Sequence, residues 1–455
     1  MKKIIINSSW LNESDLRLDA TFHLSDGPVT RLILKRSPNE ITDLKSESKD
    51  IFKGNIFKRT YVLDSKYGHQ FMTASNMMKS SLAKDSYVSK KYTNLLNLVL
   101  EKGWILISRS GTLGNAVFTN EDFAGIVGSD DLIRVIPNEK RIKSGVLYAY
   151  LASHYGYGLL TQSGYGGVIQ HIESHHLENL PIPILPEEQQ KQIHKFVSRA
   201  SKLRSDSNRT LRKILGNIDS GFTFDKPLKS FSVNIQSIKQ GDKYTKESRL
   251  ESDYYQPSTV SVINQIKKKK WQYLGDLTSE IHRSGLRDRK FVNKGIPLIT
   301  GQNLNLARLT GLKHLSRKFT RNIGKNTTEK SDILITVQGT IGKIEYVYKN
   351  MYQGVFASEQ LSKLKVKSDE IHPGYLFAFL LSKAGNIQLL KHKTGSVIEW
   401  IKENNIGSVV IPIPEDKGES IGKKINLITR KRELAFQLEN QAIDLVEKEI
   451  ESWQK

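Results

Sequence analysis

The chain has 455 residues and carries 69 Lys and Arg against 47 Asp and Glu, so its formal net charge at pH 7 is +22. Such an excess of basic residues favours a polyanionic partner. The lack of cysteine excludes disulfides, thiolate zinc sites and cysteine nucleophiles, and no apolar run approaches the ~18 residues of a membrane span. We therefore expect two or three domains, a cytoplasmic location and no membrane partner.

The first strong element in chain order is the segment 105–114, Ile-Leu-Ile-Ser-Arg-Ser-Gly-Thr-Leu-Gly, which returns at 333–342 as Ile-Leu-Ile-Thr-Val-Gln-Gly-Thr-Ile-Gly. An apolar run that ends in Gly-Thr-x-Gly predicts a buried strand entering a tight turn, with positive φ at the glycines. Other segments match in nearly the same register, so the sequence predicts a tandem duplication. The matched segments are 71–76 with 298–303, 125–132 with 354–361, 145–153 with 374–382, 166–172 with 395–401, and 182–184 with 411–413.

Each repeat is followed by a predicted long helix. Pro186 is well placed to begin the first, and Glu187 and Glu188 suit its first turn. Apolar residues then recur at helical spacing as far as Ile218, which predicts a helix of about thirty residues. A similar stripe predicts a second helix within 416–450. Because both stripes are narrow, we expect the helices to pack on each other, antiparallel, with the polar interruption at 204–209 exposed or at a bend.

These patterns divide the chain into five parts. A first globular domain covers 1–185 and a first long helix 186–218. A connector at 219–245 leads into a second globular domain at 246–414, and a second long helix occupies 415–455.

The order of these features resembles the specificity (S) subunits of Type I restriction-modification enzymes. The resemblance rests on the two Gly-Thr-x-Gly turns, the two Ile-Pro-Ile segments and Pro-Glu-Glu-Gln-Gln at 186–190, and the second helix start, Pro-Glu-Asp-Lys-Gly at 414–418, lacks the Gln pair. It implies an α/β (α+β) fold class, with two tandem target recognition domains alternating with two long helices. In that family the helices form an antiparallel coiled coil, and the internal repeat is pseudo-two-fold.

The resemblance also implies a function: a non-catalytic subunit that reads a bipartite target in double-stranded DNA, in a system of DNA methylation and phage defence. The implied partners are two DNA methyltransferase (M) subunits and restriction/translocase (R) subunits. S-adenosylmethionine, ATP and Mg are expected on those partners, and no cofactor on this chain. Arg-Leu-Asp-Ala at 17–20 and Arg-Leu-Glu-Ser at 249–252 resemble modules of fused restriction-methyltransferases, which leaves the subtype open.

The candidate DNA-binding residues carry basic, amide or hydroxyl groups suited to phosphates or base edges. They are Arg59, Asn76, Arg109, Thr112, Tyr165 and Gln170 in the first repeat, and Arg283, Arg287, Arg289, Lys290, Gln302, Asn303, Gln338, Thr340 and Lys343 in the second. No catalytic residue and no metal ligand is predicted.

Two other functions stay open: a self-sufficient DNA-modifying or cleaving enzyme with an unrecognised active site, and a nucleic-acid scaffold without sequence preference. The chain has neither of the Asp-Pro-Pro-Tyr and Asn-Pro-Pro-Phe tetrads of amino-methyltransferases. Asp130 and Glu359 share one repeat position, where a polar clamp inside the fold is favoured over a nuclease carboxylate. His171 and His175 could form a metal pair on one helix face, but the second repeat has Trp400 and Asn404 instead.

Overall fold

The computed structural model of the chain describes residues 5, 8, 18, 20–82, 86–111, 113–162, 164, 170–239, 241–245, 248–285 and 289–454. Three candidate residues, Thr112, Tyr165 and Arg287, lie outside this description, as do residues 17 and 19. The chain divides into two compact units, the first made of Met1–Ser205 with Leu434–Lys455 and the second of Asp206–Glu433. Among the described helices, none combines the length and apolar character that crossing a membrane requires.

In its described residues, the first unit forms two four-stranded sheets and a two-stranded ribbon. Its strands are β1 (Ile41–Asp43), β2 (Ser48–Lys53), β3 (Tyr61–Val62), β4 (Gly68–Met72), β5 (Tyr87–Ser89), β6 (Ile105–Ser108), β7 (Ala116–Phe118), β8 (Val127–Gly128), β9 (Leu132–Pro137) and β10 (Pro181–Pro183). One sheet has the antiparallel order β2-β9-β6-β7, the other the order β3-β5-β4-β8 with β4 and β8 parallel, and β1 pairs with β10. Its shorter helices are α1 (Ala20–His23), α2 (Asp26–Leu34), α3 (Ala74–Met77), α4 (Ser144–Ala152), α5 (His154–Gln162) and α6 (His175–Glu178).

The second unit repeats this topology. Its strands are β11 (Trp271–Tyr273), β12 (Thr278–Arg283), β13 (Phe291–Val292), β14 (Ile296–Ile299), β15 (His314–Leu315), β16 (Ile333–Thr336), β17 (Ile344–Tyr346), β18 (Phe356–Ala357), β19 (Leu361–Val366) and β20 (Val410–Pro412). The sheet orders are β12-β19-β16-β17 and β13-β15-β14-β18, and β11 pairs with β20. The first long helix is α7 (Glu187–Asp219), which contributes residues to both units, and the second long helix is α14 (Glu419–Ser452). The shorter helices between them are α8 (Ile235–Lys239), α9 (Pro257–Lys267), α10 (Ile323–Asn326), α11 (Pro373–Leu381), α12 (Lys383–Leu390) and α13 (Glu403–Gly407). The predicted duplication is thus confirmed strand by strand.

The central strand of each unit, β6 or β16, is buried on both faces. Ile105 and Ile107 of β6 enter the core formed with α4 and the start of α7, whereas Leu106 enters a second core on the opposite face. In β16, Ile333 and Ile335 enter one core and Leu334 enters another on the opposite face. Because strand side chains alternate between faces, an unbroken apolar run is what a strand between two cores requires.

The two long helices pack antiparallel within each unit. In the first unit, Gln189 near the start of α7 donates a hydrogen bond of 2.8 Å to Glu449 near the end of α14, and Arg204 contacts Glu439. In the second unit, Arg432 donates to Asn208 at 2.7 Å. Residues early in one helix therefore lie beside residues late in the other.

The polar stretch at 204–209 corrects one expectation. The helix continues through it, and Ser205, Ser207 and Asn208 are buried, with exposures of 4%, 0% and 3%. Burial of polar groups is tolerated where partners satisfy them. Ser205 Oγ donates to Glu121 Oε2 at 3.0 Å, and the side chain of Asn208 accepts from Arg432.

Candidate nucleic-acid interface

Each central strand leads into a glycine turn that a buried hydroxyl residue closes. Gly111 and Gly114 have φ of 71° and 78°, and Gly339 and Gly342 have φ of 79° and 86°, which confirms the predicted positive φ. In the first turn, Ser108 accepts from the backbone N–H of Gly114 at 3.0 Å and, through Oγ, from that of Asn115 at 3.0 Å. In the second turn, Thr336 receives the equivalent bonds, from Gly342 at 3.3 Å and Lys343 at 2.9 Å.

Two predicted arginines of the first unit converge beside its glycine turn, where both are held by carboxylates. Arg59 Nη2 donates to Asp130 Oδ1 at 2.7 Å. Partial burial acts to lower the pKa of Arg59, but the hydrogen bond to Asp130 and the nearby charges of Asp130 and Asp131 together raise it above its ordinary value. Arg109 Nε donates to Glu173 Oε1 at 3.2 Å, and its Nη1 lies 3.5 Å from Asp131 Oδ1.

The carboxylates of this cluster have further partners. Lys53 Nζ lies 2.8 Å from Glu173 Oε2, and Ser110 Oγ donates to Asp131 Oδ1 at 2.8 Å. The cluster therefore combines Lys53 and two arginines with three carboxylates, and its charges balance. Ion pairs of this kind can hold the turn and its neighbours in a fixed geometry.

The second unit places its arginines at the matching turn. Arg283 Nη2 donates to Gln338 Oε1 at 2.9 Å, and its Nε donates to the backbone carbonyl of Glu359. Arg283 also lies 3.9 Å from Glu403, and the guanidinium of Arg289 pairs with the carboxylate of Glu359. Gln338 is thus oriented by a charged donor.

The pairs Arg59–Asp130 and Arg289–Glu359 are equivalent in the duplication. Each arginine precedes an edge strand, β3 or β13, and each carboxylate follows the short strand β8 or β18. Both carboxylates are largely buried, with 17% and 13% of the side chain exposed. This confirms that the shared acidic position is a polar clamp inside the fold.

The remaining described candidates differ in how far their side chains are engaged. Asn303 Oδ1 accepts from the backbone N–H of Thr300 at 2.9 Å, so Asn303 supports its own loop. Lys343 Nζ donates to the carbonyl of Gly301 at 2.9 Å and so contacts the loop after β14. Asn76 is half-buried on α3. The exposed candidates are Gln170, Lys290, Gln302 and Thr340.

The histidines do not form the helix-face pair considered above. His171 makes an isolated β-bridge with Ser110, whereas His175 begins α6. The equivalent bridge of the second unit joins Gln338 to Trp400. In the described part of the chain, no group of three or more His, Asp or Glu is arranged to hold a metal ion.

Sequence reasoning missed the acidic partners Asp131, Glu173 and Glu403. Glu173 lies 64 positions from Arg109 along the chain, so no local motif announces the contact. The only available signal was the duplication itself, which marked Asp130 and Glu359 as equivalent.

Comparison with known proteins bears on the family. A family model described as the Type I restriction modification DNA specificity domain matches residues 45–217 and 268–448. The Type I restriction enzyme MjaVIII specificity subunit of Methanocaldococcus jannaschii is 21% identical over 362 residues, which cover 77% of this chain and 80% of the relative.

Among solved structures, a Type-I restriction-modification system S subunit from M. genitalium is 15% identical with a TM-score of 0.38, over 92% of this chain and 96% of that one. The HsdS subunit from Thermoanaerobacter tengcongensis is 13% identical with a TM-score of 0.29, over 91% and 97%. The two family matches together cover well over half of the sequence. The chain therefore belongs to the specificity subunits of Type I restriction-modification systems, which are non-catalytic.

Proposed function

We propose that each unit of this specificity subunit reads one half of a bipartite target in double-stranded DNA. The exposed side chains beside each glycine turn would contact the bases, and the ion-paired arginines would hold those side chains in position. Thr112, Tyr165 and Arg287 enter the proposal from the sequence alone.

The observation that supports this proposal most is that the two units share one backbone arrangement around the glycine turn but carry different side chains there. The bridge beside the turn joins Ser110 to His171 in the first unit and Gln338 to Trp400 in the second. Direct readout depends on the donors and acceptors presented to base edges. Two units with the same backbone arrangement but different donors and acceptors are therefore expected to prefer different half-sites.

The proposal extends to partners and cofactors. Methyltransferase subunits, two in number, and restriction subunits would dock on this chain, and the long helices would serve as spacer and docking sites. S-adenosylmethionine, ATP and Mg would be bound by those partners. The family membership and the net charge of +22 support this assignment.

Selection of bound duplexes from a randomised pool tests the proposal. The full chain should enrich two short conserved blocks separated by a gap of fixed length. A nucleic-acid scaffold without sequence preference would enrich nothing, and a single continuous block would contradict two reading units.

A further inference from the structure

Both units carry the same five-residue pattern at an equivalent point of the smaller sheet. It reads Ser-Lys-Lys-Tyr-Thr at 89–93 and Ser-Arg-Lys-Phe-Thr at 316–320. The backbone N–H of Ser89 donates to the carbonyl of Thr60 at 2.8 Å, and that of Ser316 donates to the carbonyl of Lys290 at 2.9 Å. The pattern therefore occupies the same place relative to the edge strands β3 and β13.

Burial divides each pattern into anchors and an exposed tip. The terminal Ser and Thr are buried, at 5% and 8% exposure in the first unit and 8% and 9% in the second. Between them, the two basic residues are exposed, and the aromatic residues Tyr92 and Phe319 have exposures of 64% and 49%. A segment that is anchored at both ends and exposes an aromatic ring next to two cations presents a surface for a partner.

A second exposed aromatic residue lies on each edge strand. Tyr61 begins β3 and Phe291 begins β13, with exposures of 56% and 50%. We call each set of residues a basic–aromatic surface. The first comprises Tyr61, Lys66, Tyr67, Lys90, Lys91 and Tyr92, and the second Lys290, Phe291, Lys313, Arg317, Lys318 and Phe319.

Five of the six lysines of these surfaces lie over aromatic rings, and Lys90 Nζ instead donates to the backbone carbonyl of Lys66 at 3.1 Å. Lys91 Nζ is 5.3 Å from the ring centre of Tyr92, and Lys66 Nζ is 5.6 Å from that of Tyr67. In the second unit, Lys290 and Lys318 approach the ring of Phe319 at 4.3 and 5.6 Å. Within the described residues, none of these lysines has a carboxylate at ion-pair distance.

The lysines of the basic–aromatic surfaces differ from the arginines at the glycine turns in the kind of group that contacts them. A carboxylate neutralises the cation that it holds, as Asp130 does for Arg59. An aromatic ring orients an ammonium group and leaves its charge in place. An exposed array of cations without carboxylate partners suits a polyanion with regularly spaced phosphates.

We propose that the two basic–aromatic surfaces bind the phosphate backbone of duplex DNA. They would supply the sequence-independent part of the affinity, while residues at the glycine turns would supply preference. This inference rests on the proposed function, because it assigns part of the same DNA contact to a second surface in each unit.

The test compares two double variants of the full chain that remove equal charge from the second unit. Arg317→Ala with Lys318→Ala alters the surface, and Lys268→Ala with Lys270→Ala removes two exposed lysines outside it. Affinity for a duplex that carries the selected target and for a scrambled duplex is measured over a range of salt. Each lost phosphate contact should lower the slope of log affinity against log salt by about 0.9.

We expect the surface variant to bind both duplexes more weakly, by the same factor. The slope of its log affinity against log salt should fall in magnitude by about two, and the control variant should change little. Phe319→Leu, which removes the ring and keeps apolar bulk, should weaken binding by a smaller factor. An unchanged slope in the surface variant, or an equal loss in both variants, would overturn the inference while wild-type target preference stands. Loss of M-subunit binding with DNA affinity intact would assign the surface to a protein partner and also overturn it. Failure of the wild type to discriminate target from scrambled DNA would instead count against the proposed function.

Discussion

Arg59 and Asp130, which are 71 positions apart in the chain, are joined by a 2.7 Å hydrogen bond between guanidinium and carboxylate. The duplication repeats the contact as Arg289 with Glu359. An arginine beside a loop that we propose to contact DNA could be assigned to a phosphate. In both units the fold gives it a structural partner first.

Breaking the second of these pairs should destabilise the protein. Glu359→Gln leaves a partly buried guanidinium without its carboxylate, so we expect a loss of about 1–3 kcal/mol in the free energy of unfolding. Lys365→Ala serves as the control, because its ion pair with Glu329 is about half exposed on both sides and such pairs contribute under ~1 kcal/mol. Urea unfolding measures both, and equal losses would contradict the structural role of Glu359.

The glycine turns should not tolerate a side chain well. An added Cβ at Gly339 meets no atom within 4 Å, so the cost of Gly339→Ala arises from its φ of 79° and should be about 1–2 kcal/mol. Gly339→Asn should cost less, because asparagine tolerates this backbone region. Gly216→Ala, in the exposed interior of the first long helix, should instead stabilise by about 0.5–1 kcal/mol. Thermal unfolding of the three variants checks this order, and a neutral Gly339→Ala would contradict it.

Glu345 should make stability depend on pH. Burial raises the pKa of this carboxyl from 4.5 to about 6, although the charge of Arg432 opposes the shift. Between these pH values the folded chain keeps a proton on Glu345 that the unfolded chain has lost. The contribution of Glu345 to the free energy of unfolding is therefore complete below pH 4.5 and is lost as pH rises through 6. Glu345→Gln should therefore gain about 2 kcal/mol relative to wild type between pH 4.5 and 7.

Glu329→Gln provides a control of opposite sign. The hydrogen bond from Lys365 lowers the pKa of Glu329, so its small contribution is present above pH 4.5 and is lost as pH falls. The urea unfolding midpoints of both variants and the wild type, measured between pH 4.5 and 7, test whether Glu345 causes the pH dependence of stability. A pH-independent difference between Glu345→Gln and wild type would refute the assignment.

The contact between the long helices in the first unit depends on a buried network in which Glu439 accepts from Arg204 and from the hydroxyl of Tyr148. Glu439→Ala should cost about 3–5 kcal/mol, because it leaves the Arg204 charge buried without a partner. Replacing all three polar groups, with Arg204→Met, Glu439→Leu and Tyr148→Phe, should cost less than that single change. Urea unfolding compares the two variants, and a larger loss in the triple variant would show that the polar network itself stabilises the helix pair.

The sequence predicted what depends on local pattern. The apolar run 105–108 before a glycine turn has one good solution, a buried strand, and its recurrence at 333–336 predicted the second. Long-range partners were not predictable in this way. The polar residues at 204–209 predict a segment that is exposed or at a bend, but Ser207 is buried in a continuous helix, and no local signal places Glu439 beside Arg204.

The candidate site shows the same division. The sequence marked Arg59 and Arg289 as candidate DNA-binding residues, but it did not show that each pairs with a carboxylate about 70 positions further along the chain. Only the structure shows that these charges are balanced. The repeated Ser-Lys-Lys-Tyr-Thr pattern at 89–93 was present in the sequence, yet its exposure depends on two buried anchors that tertiary packing determines.

Independent reading by the two units is the central claim, and matched amide variants test it most directly. Gln170 and Gln302 are both exposed and lie in different units. Targets are selected from a randomised duplex pool with wild type, Gln170→Ala and Gln302→Ala at one salt concentration. We predict that each variant relaxes preference at one position, by about 1–3 kcal/mol, and that the two positions lie in different half-sites. Changes by both variants in the same half-site, or a wild-type target without two separated blocks, would contradict the account.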